Sequence, residues 1–185
     1  RQLPRKGMYQ QLYWSPDGKW FCGVANVGSE SWTVARINAE TGDINPVRSF
    51  QNCTPDWFPD SNHIIMSSRP ANQPGNEGKG FTQLWMAAGD GSDQRLVYGE
   101  DGVHVYGGAV SPDGQYAMFT RVPKDGAGAG DNGAPICIMR LSDAPTIAGA
   151  SPDLRKVHPN TKDGAVIELG MGWEPHWTAA EIGAK

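Results

Sequence analysis

A tight turn that recurs between aromatic and apolar strands constrains this chain more than any other feature. Leu12-Tyr13-Trp14-Ser15-Pro16-Asp17-Gly18-Lys19-Trp20-Phe21 reads strand, turn, strand. Pro16 presets φ for the first corner, Asp17 can return its carboxylate to the backbone, and Gly18 accepts the positive φ that closes the turn. Trp57-Phe58-Pro59-Asp60-Ser61-Asn62-His63-Ile64 repeats the unit with Ser61 at the glycine position, and Val110-Ser111-Pro112-Asp113-Gly114-Gln115-Tyr116 repeats it almost letter for letter. Pro59 follows Pro16 by 43 residues and Pro112 follows Pro59 by 53. A period of about 40 to 50 residues with four strands in each is what a propeller blade requires.

Each interval divides into four strands. The first gives 8–14, 19–25, 32–37 and 44–50; the second gives 52–58, 63–67, 81–86 and 94–98; the third gives 104–110, 115–121, 136–141 and 165–169. Blades are therefore expected over 8–50, 52–98 and 104–169. Ser151-Pro152-Asp153 is not a fourth copy, because Leu154-Arg155-Lys156 follows it and no aromatic strand precedes it. Trp173-Glu174-Pro175-His176-Trp177-Thr178 is the better candidate: Trp177-Thr178 aligns with Trp14-Ser15, and the pattern then stops. Residues 173–178 are expected to form the inner strand of a blade this chain does not complete. No stretch sustains a 3.6-residue apolar period with caps, so helix is expected to be scarce. The fold class is all-β, a propeller sector of three four-stranded blades plus one inner strand.

Two insertions stretch the period, 69–79 and 124–134, and both fall between second and third strands. That position puts them on one face, the better binding candidate. Asn72, Gln73, Asn76, Glu77, Asp125, Asp131 and Asn132 are its candidate contact residues. The glycine-rich part of the second insertion resembles a calcium-binding glycine-aspartate repeat, but such repeats come in tandem and this is one copy, so a flexible loop is the reading.

With Trp-Ser-Pro-Asp-Gly-Lys at 14–19, Ser-Pro-Asp-Gly-Gln at 111–115 and Leu-Trp-Met-Ala-Ala-Gly-Asp-Gly-Ser at 84–92, the chain resembles the TolB-like propeller repeat family. The resemblance runs from about Met8 to Trp177. It implies the fold and says little of function: such propellers serve in periplasmic Tol assemblies, in gating domains of prolyl-oligopeptidase-like peptidases and in oligogalacturonate-lyase-like enzymes. They have six or seven blades, so the resemblance also implies that further blades come from other sequence or another chain. A periplasmic or extracellular location rests on the resemblance alone; the chain begins at Arg1 with neither Met nor an apolar signal segment, which fits a processed or partial chain.

Composition narrows the chemistry. A formal charge of −4 argues against a partner bound through phosphates, and no apolar run approaches the roughly 18 residues of a spanning helix. The three cysteines, Cys22, Cys53 and Cys137, have no metal-ligand spacing and read as small buried hydrophobes, with a Cys22–Cys53 disulfide as the alternative in an oxidising compartment. No Gly-x-Ser-x-Gly elbow is present. Asp17, Asp60 and Asp113 recur because the turn needs an acceptor, which argues for structure over catalysis. The four histidines lie in separate segments; His104 and His176, in or beside inner strands, are the channel candidates. Among the seven tryptophans, Trp14, Trp57 and Trp177 share one repeat position and are expected to be buried between blades. Trp20 and Trp173 lack a repeat partner and are the candidates for ligand contact. No catalytic, metal or cofactor-binding set is expected. The function expected is a non-catalytic scaffold or protein-interaction module of an exported assembly. The alternative is part of a polysaccharide-lyase-like enzyme or of a peptidase's gating propeller.

Overall fold

The computed structural model describes residues 8–26, 33–48, 52–69, 81–100, 102–123, 133–143 and 165–177. Three antiparallel four-stranded sheets account for nearly all of them. The first is β1 (Met8–Trp14), β2 (Trp20–Asn26), β3 (Thr33–Asn38) and β4 (Ile44–Arg48). The second is β5 (Asn52–Trp57), β6 (His63–Ser68), β7 (Gln83–Ala88) and β8 (Arg95–Tyr98). The third is β9 (Val103–Val110), β10 (Tyr116–Pro123), β11 (Ala134–Arg140) and β12 (Val166–Gly172). Each is a meander in chain order, with its first strand packed beside the first strand of the next. Among the described residues, the 3-10 turn Leu141–Asp143 is the one helical element.

The turns between first and second strands carry the chemistry their sequence calls for. Gly18 and Gly114 sit at φ of 71° and 72°, and Ser61 takes the same region at 57°. Asp17 Oδ1 accepts the Lys19 N–H at 3.1 Å, Asp113 Oδ1 accepts that of Gln115 at 3.0 Å, and Asp60 Oδ1 accepts those of Asn62 and His63 at 2.9 Å. In the first and third sheets a serine hydroxyl completes the turn, Ser15 to Asp17 at 2.6 Å and Ser111 to Asp113 at 2.5 Å. Phe58 stands at that position in the second sheet, and His63 Nδ1 meets Asp60 there instead, at 2.5 Å.

Alternation along β6 divides the core in two. Ile64 and Met66 pack with Val24, Val34, Trp57 and Trp85 between the first and second sheets, while Ile65 packs with Leu84, Val105, Phe119 and Cys137 between the second and third. Successive strand residues point to opposite faces, so the middle sheet is buried on both. The outer sheets each keep one open face. Leu12 and Trp14 are exposed at one end, and Ile167, Leu169 and Met171 on β12 at the other.

Three expectations change here. Trp14 is 59 % exposed rather than buried, because among the described residues no sheet packs outside β1, whereas its counterpart Trp57 is 5 % exposed. The last strand of the third sheet extends beyond 165–169, to Gly172, by continuing its ladder along β11 as far as Ala134. Residues 173–177 then turn back to the innermost position but form no ladder, since no further strand among the described residues supplies backbone partners. Side-chain bonds hold them: the Glu174 N–H donates to Thr120 Oγ1 at 3.2 Å and the Trp177 indole to the Ala109 carbonyl at 3.1 Å. Trp32 and Thr178 lie outside the described residues.

Candidate functional site

The inner strands share a defect that shapes the site. Between Gln10 and Tyr13 two residues of β1 oppose Gly23 alone; Thr54 and Pro55 likewise oppose Met66, and Gly107 and Gly108 oppose Phe119. These are β-bulges, which bend a strand and re-aim its side chains. The first bulge residue is left-handed each time, with φ of 51° at Gln11, 47° at Thr54 and 66° at Gly107, and Glu174 in the fourth segment follows at 43°. A side-chain relay links them. Gln11 Oε1 accepts the Thr54 N–H at 2.8 Å, and Thr54 Oγ1 accepts the Gly107 N–H at 3.0 Å. Gly107 has no side chain to continue, so Thr120 serves Glu174. A Cβ on Gly107 would lie 2.7 Å from Glu174 Cα, so the glycine is what lets the fourth segment close in.

Three residues past each bulge comes the repeat tryptophan or its substitute. The Trp57 indole N–H donates to the Tyr13 carbonyl at 3.0 Å, just as Trp177 does to Ala109. Each tryptophan thus latches onto the inner strand of the preceding blade. Blade three carries Val110 at this position, and beside Val110 lies a cavity of about 400 Å³. It is lined by Trp14, Trp57 and Trp177, by the turn prolines Pro16, Pro59 and Pro112, and by the polar residues Asp56, Ser111 and His176.

Asp56 is half-buried. Its Oδ1 accepts the Trp57 N–H at 2.9 Å and its Oδ2 the Val110 N–H at 3.1 Å. Burial pushes its carboxyl above the usual range, against the pull of those two bonds and of His176. Tyr13, whose ring meets His176 at 5.6 Å between centroids, is likewise pushed up by burial and by the carboxylates of Glu174 and Asp56. The arrangement is a recess lined by aromatic residues and prolines, with Asp56 and His176 among its polar residues.

Of the candidates from sequence, His176 reaches this cavity and His104 does not. His104 Nδ1 accepts the Thr82 N–H at 3.0 Å and its ring stacks on Tyr106, while burial and then Arg69 hold its pKa down. It pins the second sheet to the third. Trp20, a candidate because it lacks a repeat partner, is half-buried with the Arg36 guanidinium 4.1 Å from its ring centroid. Trp173, just past β12, is 52 % exposed. Asn72, Gln73, Asn76, Glu77, Asp125, Asp131 and Asn132 lie outside the described residues. The segments that bear them do connect β6 to β7 and β10 to β11. All three cysteines are free. Among the described residues no group of three His, Cys, Asp or Glu is placed to hold a metal ion, and no helix is long and apolar enough to cross a membrane. Sequence reasoning missed Asp56 and the bulges. Their signals were Pro55 and Pro175, each two residues before its tryptophan, and Gly107-Gly108, since proline and glycine inside a strand mark bulges.

No family model matches the chain, and no curated protein does. Solved structures do. It is similar to a putative TolB from Agrobacterium tumefaciens, with a TM-score of 0.56 and 19 % identity over 78 % of this chain and 49 % of that one. A TolB from Acinetobacter baumannii gives 0.53 and 17 % identity, over 90 % of this chain and 45 % of that one. The fold is that of a TolB-like β-propeller. The tricorn protease is similar at 0.55 with 8 % identity, over 88 % of this chain and 17 % of that one, so the likeness is one of blade architecture. The TolB-like sector spans about half the length of the two TolB chains it matches.

Proposed function

We propose that this TolB-like sector is a non-catalytic scaffold, completed by further blades of the same repeat, that binds protein in an exported or periplasmic assembly. The observation that carries the reading is the unfilled latch at Trp14. Trp57 and Trp177 give their indole N–H groups to the preceding blade, and among the described residues Trp14 has no such acceptor. Its open face is apolar, with Leu12 at 41 % exposure, and the opposite face presents Ile167, Leu169 and Met171 at more than half exposure. Large apolar side chains grouped in this way mark surfaces that are covered in use. Unpaired strand edges add the same demand. The insertions between second and third strands form the partner-binding face in this reading. The location follows from the family resemblance.

Photo-crosslinking in the full-length protein in its own cell tests the reading. Cross-linkers at positions 12 and 169 should capture further blades or another protein, and one at position 76 a distinct protein. If positions 12 and 169 yield no adduct and remain open to water-soluble reagents, the completed-scaffold reading fails. Recovery of the protein from the cytoplasmic fraction alone refutes the exported part.

A further inference from the structure

Thr82 stands just ahead of β7 and takes no part in its ladders, yet it is only 1 % exposed. Both of its backbone groups bond to the third blade instead. Its carbonyl accepts the Val105 N–H at 3.0 Å, and its own N–H donates to His104 Nδ1 at 3.0 Å. A backbone N–H can only donate, so Nδ1 presents a lone pair and the ring is the neutral tautomer with its proton on Nε2. The Thr82 hydroxyl lies 3.0 Å from the same nitrogen. Phe81 meets the imidazole edge-on with centroids 5.2 Å apart, and Tyr106 stacks on it at 5.7 Å. Two aromatic rings thus hold the imidazole where it is.

We propose that His104 is a proton-operated clasp between the second and third blades, in which a proton added at Nδ1 turns the acceptor of the Thr82 N–H into a donor and releases Thr82 from β9. The proton comes from solvent and enters the Nδ1 lone pair. The new N–H has an acceptor in Thr82 Oγ1, already at 3.0 Å, and the Thr82 N–H is left without one. An unpaired N–H at so buried a residue is costly, so Thr82 opens toward water. Burial, and after it the charge of Arg69 beyond β6, hold the His104 pKa below the usual 6.5. A depressed histidine pKa contributes stability that is complete above about 6.5 and lost as pH falls through the folded value, so acid opens the clasp. Among the described residues no carboxylate acts on the ring to reverse that order. Tyr106 shares its strand, β10 sets Val122 opposite it, and Arg121 of β10 is bonded to Glu100. The clasp stands at the foot of both long connections: Thr82 leads into β7, and Val122 and Pro123 pair with His104 and Val103 where β10 ends. It gives the partner face proposed above a dependence on pH and rests on that reading only in this respect, since the clasp itself lies within this chain.

Amide exchange in the isotopically labelled full-length protein, followed by NMR and corrected for the intrinsic pH dependence of exchange, tests the clasp with no partner present. Protection of the Thr82 amide should fall about tenfold or more between about pH 7.5 and about pH 5, while the amides of β6, an interior strand of the same sheet, keep theirs. The imidazole nitrogen shifts of His104 should change over the same range from the Nε2–H tautomer to the imidazolium. His104→Asn keeps an acceptor at the δ position and removes the titration, so Thr82 should stay protected throughout. Thr82→Val withdraws the hydroxyl that receives the new N–H, so the midpoint should move to lower pH. Thr82 protection indifferent to pH in the wild-type protein would overturn the proposal, and so would an Nδ1–H tautomer at neutral pH. An equal loss in a folded His104→Asn protein, a simultaneous loss across β6 or an unmoved midpoint in Thr82→Val would each do the same. None of these outcomes touches the cross-linking result, so the clasp and the scaffold reading fail separately.

Discussion

Replacing Trp57 by alanine should remove both the packing and the latch between the first two blades. The side chain is 5 % exposed and contacts the core cluster of Val24, Ile64 and Trp85, and its indole N–H donates to Tyr13 at 3.0 Å. A buried tryptophan removes about 200 Å² from water, which at about 25 cal/mol per Å² amounts to about 5 kcal/mol. The methyl group that remains and partial collapse of the hole bring Trp57→Ala to about 3–5 kcal/mol. Trp57→Phe separates the two contributions. It keeps most of the ring surface and leaves the Tyr13 carbonyl without its indole donor, at a cost of about 1–2 kcal/mol. Urea unfolding of the full-length protein, followed by far-ultraviolet circular dichroism, measures both. A loss below about 1 kcal/mol for Trp57→Ala would refute the inter-blade core. A loss of about 3–5 kcal/mol for alanine with none for phenylalanine would leave the packing intact and refute the latch.

Gly107→Ala should cost more than Gly102→Ala. Both glycines are left-handed, at 66° and 79°, but a Cβ meets Glu174 Cα at 2.7 Å in the first and open space in the second, so the same unfolding assay isolates the close approach. Asp17 and Asp113 have carboxyls held below the usual 3.8, first by the Ser15 and Ser111 hydroxyls and next by backbone N–H groups. A depressed folded pKa contributes stability that is present above the unfolded value and lost as pH falls through the folded one. Asp17→Asn with Asp113→Asn should therefore flatten the loss of stability below about pH 4, and an unchanged acid profile would refute that role. Cys137 is pushed up to about 11 by burial, and burial followed by the Asp56 charge raises Cys22. At pH 8 both thiols should resist iodoacetamide in the native protein and react in urea, as mass spectrometry of the digested protein would show. Rapid native labelling of either would contradict its burial.

Much of the fold was legible because its signals are local. Pro16-Asp17-Gly18 dictates a turn whatever surrounds it, since a fixed φ, a short side-chain acceptor and a permitted positive φ act within four residues. Recurrence of that turn then set the spacing of the sheets. Asp56 was not legible, because nothing in Pro55-Asp56-Trp57 says that the next blade carries valine where tryptophan is the rule. Nor could one repeat position announce two fates for Trp14 and Trp57. Burial of an inter-blade side chain depends on whether a sheet lies outside it, and for Trp14 none among the described residues does.

The amino-acid sequence by itself determined the strands, their turns and the repeat, because propensity, turn chemistry and alternation are properties of a few neighbouring residues. Only the tertiary structure decided the cavity, the bulge relay from Gln11 through Thr54 to Gly107, and the open faces at Leu12 and Leu169. Each of these joins residues from different blades, and such pairs meet only after the sheets have packed.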